Sequence, residues 1–140
     1  MTMFPDGLSH RSPQELRRYA EVLVYIAAAD GELVREEIAV IEAMMGRCMI
    51  HPEVRVDIRS GFEHPVPLDQ SLVDLEHGLI RFILRDAAFV AAIDGNYDPK
   101  EIKALKAIAK AGEVSKEDLS SLLDWVGDGW NWYQEFSKLL

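Results

Sequence analysis

Two stretches of this 140-residue chain, Tyr25-Ile-Ala-Ala-Ala-Asp-Gly-Glu-Leu-Val-Arg-Glu-Glu-Ile38 and Phe89-Val-Ala-Ala-Ile-Asp-Gly-Asn-Tyr-Asp-Pro-Lys-Glu-Ile102, spell one pattern without a gap: Ala-Ala-x-Asp-Gly-(x)5-Glu-Ile. Each reads as the end of an apolar helix, a stop, and the first turn of the next helix. A glycine past the last apolar turn takes the left-handed conformation that ends a helix. A glutamate in the following first turn is favoured by the helix dipole. Asp30 and Asp94 stand 64 residues apart. A repeat this long, present twice, predicts two helix–turn–helix halves about a pseudo-twofold axis, since an open solenoid needs more copies. Ala27, Ala28, Ala91 and Ala92 would let the two long helices approach closely near their ends.

Outward from these turns, Ser12-Pro13-Gln14-Glu15 combines a capping hydroxyl, a first-turn proline and a glutamate three residues on, which starts a helix. Leu16, Tyr19, Leu23, Ile26 and Ala27 form its apolar stripe as far as Asp30-Gly31. A second helix runs from about Arg35 through Ile38, Ile41, Met44 and Met45 and fades near Gly46 and Cys48. His51-Pro52 opens a short third helix ending around Gly61. Residues 62–67, with Pro65 and Pro67, form the connector. A long fourth helix is predicted from Asp69, with Leu72, Leu75, Leu79, Phe82, Ile83 and Val90 on one face, until Asp94-Gly95 stops it. Asp98-Pro99-Lys100-Glu101 repeats the cap and launches Ile102, Leu105, Ile108 and Ala109, with Gly112 as the stop. Ser115 caps a sixth helix through Trp125, and a short aromatic helix closes the chain. No strand-like alternation occurs. The expectation is an all-α, single-domain bundle of about seven helices over 1–140, with its core in 12–127 and a C-terminal aromatic helix in 128–140.

Composition narrows the function. An apolar fraction of 49% supplies a core at this length. The net charge of −9 repels phosphate backbones and anionic lipid, so no nucleic acid and no membrane insertion are expected, and cations or basic partners suit better. Cys48 is the single cysteine, which excludes an intrachain disulfide and a multi-thiolate zinc cluster and suits a reducing cytoplasm. The first residues lack the basic and apolar regions of a secretion signal. The apolar stretch from Leu68 to Ile93 contains Arg81, Arg85 and Asp86, which marks a core helix rather than a membrane span.

The duplicated turns also carry the chemistry. A carboxylate at a helix C-terminus, as Asp30 and Asp94 are, faces the negative end of the dipole at a cost of roughly 0.3–1 kcal/mol. Either a turn amide or a hard cation, which prefers oxygen ligands, would compensate it. Glu37 and Glu101 fall back toward the same turns. With symmetric pairing, Asp30, Glu37, Asp94 and Glu101 would form one metal-binding acidic surface, which Glu32, Asn96 and Asp98 could join. The other reading is that these side chains only stop and cap helices. Asp94-x-Asn96-x-Asp98 opens like an EF-hand loop, but glycine at its second place, proline at its sixth and Leu105 in place of the bidentate glutamate exclude one.

On these residues the chain resembles the TerB-like family, a tellurite-resistance helical domain whose fold is shared by the N-terminal region of some membrane-anchored DnaJ-type co-chaperones. The resemblance covers roughly Pro13 to Leu123 and is carried by the doubled turn signature. It implies an all-α bundle of about seven helices in two pseudo-symmetric halves and a part in tellurite or general stress responses. It also implies divalent-metal binding by Asp30, Glu37, Asp94 and Glu101, with calcium, magnesium, manganese or zinc as the ion. The first half departs from the pattern, because Val34 stands where Asp98 stands in the second and cannot cap its helix.

Elsewhere little points to catalysis. His10, His51, His64 and His77 are scattered, and only Asp74-x-x-His77 sets a histidine one turn from a carboxylate, short of a dinuclear site. No serine or cysteine sits in a nucleophile setting; Cys48 and the Met44, Met45, Met49 group read as packing residues. No enzyme is expected. In the aromatic tail Trp132 and Phe136 share a helical face that Trp130 does not, so Trp130, Trp132 and Phe136 either seal the bundle or form a partner or homodimer surface. Two functions follow: a TerB-like, non-enzymatic module that binds a divalent ion and acts through protein partners, or a co-chaperone-like interaction module with no metal site.

Overall fold

Ser12 accepts a hydrogen bond from the Glu15 amide at 3.2 Å, and the Glu15 carboxylate accepts one from the Ser12 amide at 3.1 Å. This reciprocal cap, with Pro13 fixing φ at the first turn, starts α1 (Pro13–Ala28) where the sequence places it. The computed structural model describes residues 8, 10–93 and 96–140. After α1 come α2 (Arg35–Arg47), α3 (Pro52–Ser60), α4 (Leu68–Leu72), α5 (His77–Ala91), α6 (Pro99–Ala111) and α7 (Lys116–Gln134), which passes into a 3-10 turn over Glu135–Leu139. The described residues form no strand, and the chain is all-α as expected.

Tyr19, Leu23 and Ile26 lose all contact with solvent on α1, and so do Ala20, Val22 and Ala27, so burial extends well beyond a single stripe. That pattern belongs to a central helix. α1 touches every helix from α2 to α6, and its most extensive partner is α5, the helix that carries the second copy of the repeat. The contacts are preserved when α1 is exchanged with α5 and α2 with α6: α1 meets α2 as α5 meets α6, and α1 meets α6 as α5 meets α2. This is the pseudo-twofold relation that the duplicated turns predict.

The helix count matches expectation, but the partition does not. The expected long fourth helix is two, because Val73 is extended and Asp74 takes φ 60°, which no α-helix accommodates. The Arg18 guanidinium donates to the Val73 carbonyl and holds the break open. Leu72, Leu75 and Leu79 keep a helical spacing across it, so periodicity alone could not register it. Conversely, the expected sixth and seventh helices are one: α7 continues past Trp125 through Gly127 and Gly129, held by buried Val126 and by Trp130 against α5.

α2 and α6 end where the sequence places their ends, with Cys48 and Gly112 as caps, but the left-handed residue that follows is not a glycine. α2 is followed by Met49 at φ 57°, and the Ile50 amide reaches back to the Met45 carbonyl at 3.1 Å. α6 is followed by Glu113 at φ 56°, with the Val114 amide on the Ala109 carbonyl at 2.8 Å. Both are Schellman turns with a side-chain-bearing residue in the left-handed place. Gly112 serves another purpose: a Cβ there would lie 3.0 Å from Cγ2 of Ile80, so its absence lets the end of α6 close on α5. Gly31, at φ 87°, is the left-handed stop the sequence predicts.

Candidate functional site: acidic turns and an aromatic overhang

In the first acidic turn one Asp30 oxygen is held by a backbone amide. Asp30, half-buried after α1, accepts from the Glu32 amide at 2.9 Å, so a turn amide supplies the compensation its position requires. Glu32 itself is exposed. In the second half the Asp98 carboxylate accepts from the Lys100 amide at 2.8 Å, while Glu101 accepts from the Asp98 amide at 3.1 Å. Val34 makes no side-chain cap, as its chemistry dictates. Glu37 and Glu101 hold the same first-turn position in α2 and α6, and both are buried, at 5% and 4% exposure. Asn96 is exposed, and Asp94 lies outside the described residues.

A divalent ion needs several oxygens free to converge on one point. Among the described residues no group of three or more His, Cys, Asp or Glu side chains is gathered in that way. One oxygen each of Asp30, Asp98 and Glu101 accepts from a backbone amide, so these carboxylates serve their turns.

Sequence reasoning missed the most heavily engaged carboxylate. Asp86 on α5 is 1% exposed and receives the Tyr19 hydroxyl of α1 at 2.6 Å, Arg47 of α2 at 3.1 Å and its neighbour Arg85 at 2.9 Å. The cluster ties three helices together at one point. Burial first, and the adjacent Asp86 second, push the Tyr19 phenol far above its usual range, so it remains a neutral donor. The available signal was register: Asp86 recurs with Leu79, Ile83 and Val90 at helical spacing, which puts a carboxylate in an apolar stripe.

His77 lies 3.3 Å from Glu113 rather than joining Asp74 in a site, and the His51 ring caps α3 by accepting from the Glu53 amide at 3.2 Å. Cys48, Met44 and Met45 are buried packing residues; Met49, expected among them, is 70% exposed because its left-handed backbone turns it outward.

The aromatic residues divide as their helical angles require. Trp130 turns inward, donating from Nε1 to the Phe89 carbonyl at 3.1 Å and meeting the Phe89 ring edge-on at 5.9 Å. It seals the bundle. From Asn131 onward every residue is exposed, and α7 with its 3-10 turn overhangs the core, presenting Trp132, Tyr133, Phe136, Leu139 and Leu140. Trp125, earlier on the same helix, is 55% exposed and meets the Phe89 ring edge-on at 5.6 Å. The sequence places Tyr133 and Leu139 with Trp130, Trp132 and Phe136 in a closing aromatic helix, and that segment instead continues α7 and its 3-10 turn.

With this geometry in hand, comparison with known proteins gives one consistent result. The chain is similar to a protein of Vibrio vulnificus named co-chaperone protein DjlA, 31% identical over 132 residues, which cover 86% of this chain and 46% of that protein. The protein of the same name from Vibrio parahaemolyticus is 30% identical over 137 residues, 86% of this chain and 48% of its own length. That of Photobacterium profundum is 30% identical over 112 residues, 73% and 40%. The chain thus spans about half the length, or less, of the curated relatives it matches. No family model matches it, and no solved structure matches it significantly. Among the described residues no helix is long and apolar enough to cross a membrane.

Proposed function

We propose that this chain is a non-enzymatic helical module that acts through partner proteins, in the manner of a segment of a co-chaperone, and that it meets its partner through the aromatic overhang of α7. The similarity to co-chaperones over most of the chain supports the class of function. The observation that carries the surface is the run of exposed large apolar side chains, Trp132 at 74%, Tyr133 at 70%, Phe136 at 62% and Leu139 at 78%. A contiguous apolar face of this kind on a soluble surface is characteristic of a binding site, and aromatic residues are the usual anchors of such interfaces. A cytoplasmic setting suits the single, buried Cys48.

The reading is tested by a hybrid in which this chain replaces the matching segment of the Vibrio vulnificus co-chaperone. Chaperone-dependent refolding of denatured luciferase is expected to survive the exchange and to fall when Trp132→Ala and Phe136→Ala are introduced together. A hybrid no better than the deletion overturns the co-chaperone reading. Loss of concentration-dependent dimerisation in the same double variant, with refolding unaffected, assigns the face to a second copy of the chain instead. Titration with calcium, magnesium, manganese and zinc is expected to leave the amide resonances of residues 30–37 and 96–101 in place. Selective movement there would restore the cation reading and, with it, a stress role of the TerB kind.

A further inference from the structure

The chain has six lysines, and five of them, Lys100, Lys103, Lys106, Lys110 and Lys116, fall within 17 consecutive residues. Eight of the nine arginines are used differently. Arg11, Arg17, Arg47, Arg59 and Arg85 bind carboxylates, while Arg18, Arg55 and Arg81 bind backbone carbonyls. Among the described residues no lysine ammonium makes an ion pair or hydrogen bond that would fix its place. Lys103, Lys106 and Lys110 are exposed at steps of three and four, one stripe along α6. Lys110 complements the negative end of the α6 dipole, but Lys116 occupies the first turn of α7, where the dipole opposes a positive charge. The helix dipole therefore accounts for Lys110 but not for Lys116.

Beside the stripe, between α6 and α7, lies an open groove of about 720 Å³ lined by Ala109, Val114, Leu119 and Leu123 together with Lys106, Lys110 and Lys116. We propose that this groove docks an acidic, amphipathic helical segment of a partner protein, leucine-like side chains seated between α6 and α7 and carboxylates meeting the lysines. Charge complementarity selects the occupant: an isolated basic stripe on a molecule of net charge −9 attracts a short acidic segment locally, while the overall field repels extended polyanions such as RNA. A groove with these apolar residues in its lining fits a helix better than a flat lipid surface. The groove is separate from the aromatic overhang, so the proposal stands or falls independently of the hybrid experiment.

The test is a titration of the isotopically labelled chain with a synthetic helix-forming peptide bearing leucines on one face and glutamates on the other. Amide shifts are expected at Lys106, Ala109, Lys110, Val114, Leu119 and Leu123, with affinity falling as salt rises. The surface double variant Lys106→Glu with Lys110→Glu, its fold checked by circular dichroism, is expected to bind about tenfold more weakly or worse. Equal binding of a scrambled peptide of the same composition, or of a peptide with lysines in place of the glutamates, overturns the proposal. So do shifts located elsewhere, or stronger perturbation of the same amides by phosphatidylglycerol vesicles or by an RNA oligonucleotide.

Discussion

Tyr19 and Asp86 illustrate how a single polar contact in an apolar centre sets local tolerance to change. The Tyr19 hydroxyl and two guanidinium groups together satisfy a carboxylate that has almost no access to water. Tyr19→Phe preserves the ring packing but removes one donor from buried Asp86, and is expected to lower unfolding free energy by about 1–3 kcal/mol in urea titrations. A second residue-scale expectation concerns acid. The Glu42 carboxylate accepts from Arg59 at 2.8 Å, and this hydrogen bond holds its pKa below the ordinary carboxylate range. A lowered folded value means that the pair stabilises the fold above that ordinary range, about 4.3, and that this contribution disappears as pH falls through the lowered value. Glu42→Gln should therefore flatten the acid limb of the stability curve below about pH 4.3 relative to the parent, as measured by thermal melts across pH. Tyr97, by contrast, has its phenol pushed up to about 12, chiefly by burial. It stays a donor to the Leu123 carbonyl, at 3.1 Å, throughout the neutral range.

At the scale of the element, much of the architecture was legible in sequence. Starts were the clearest, because a hydroxyl or carboxylate cap, a first-turn proline and a third-position glutamate act within four residues, and Ser12, Asp98 and Ser115 all cap as their chemistry predicts. Ends were less so. Gly31 is the left-handed stop its sequence suggests, whereas after α2 and α6 the left-handed place falls to Met49 and Glu113, residues with no intrinsic preference for that conformation. Tertiary packing overrode the local code there, most visibly at Gly112, whose missing Cβ is required by Ile80 rather than by the turn. Because Met49 is exposed and strained, Met49→Gly is expected to stabilise the protein by about 1 kcal/mol in chemical denaturation, against the usual sign for a glycine substitution. Among the candidate ligands, their residue types were readable and their engagements were not. Whether an acidic side chain near a turn stays open to a cation depends on amides such as that of Glu32, and the resulting distance is three-dimensional information.

For the molecule as a whole, the duplicated Asp-Gly turns announced a pseudo-symmetric pair of hairpins, and the exchange of contacts between α1–α2 and α5–α6 follows from them. Net charge is an average over the chain: the total is −9, yet five of the six lysines fall within residues 100–116. The aromatic end has an optical consequence. All three tryptophans, Trp125, Trp130 and Trp132, belong to α7, a helix that buries only Leu119 and Val126 of its own residues. Weakly anchored ends open before the centre does. Intrinsic fluorescence will accordingly follow the release of α7, while far-ultraviolet dichroism follows the helices that remain. On heating, the emission transition is expected several degrees below the dichroic one, and coincident transitions would mean that α7 melts with the bundle. A dye-free measurement on the unlabelled chain thus gives a built-in gauge of how firmly its last helix is held.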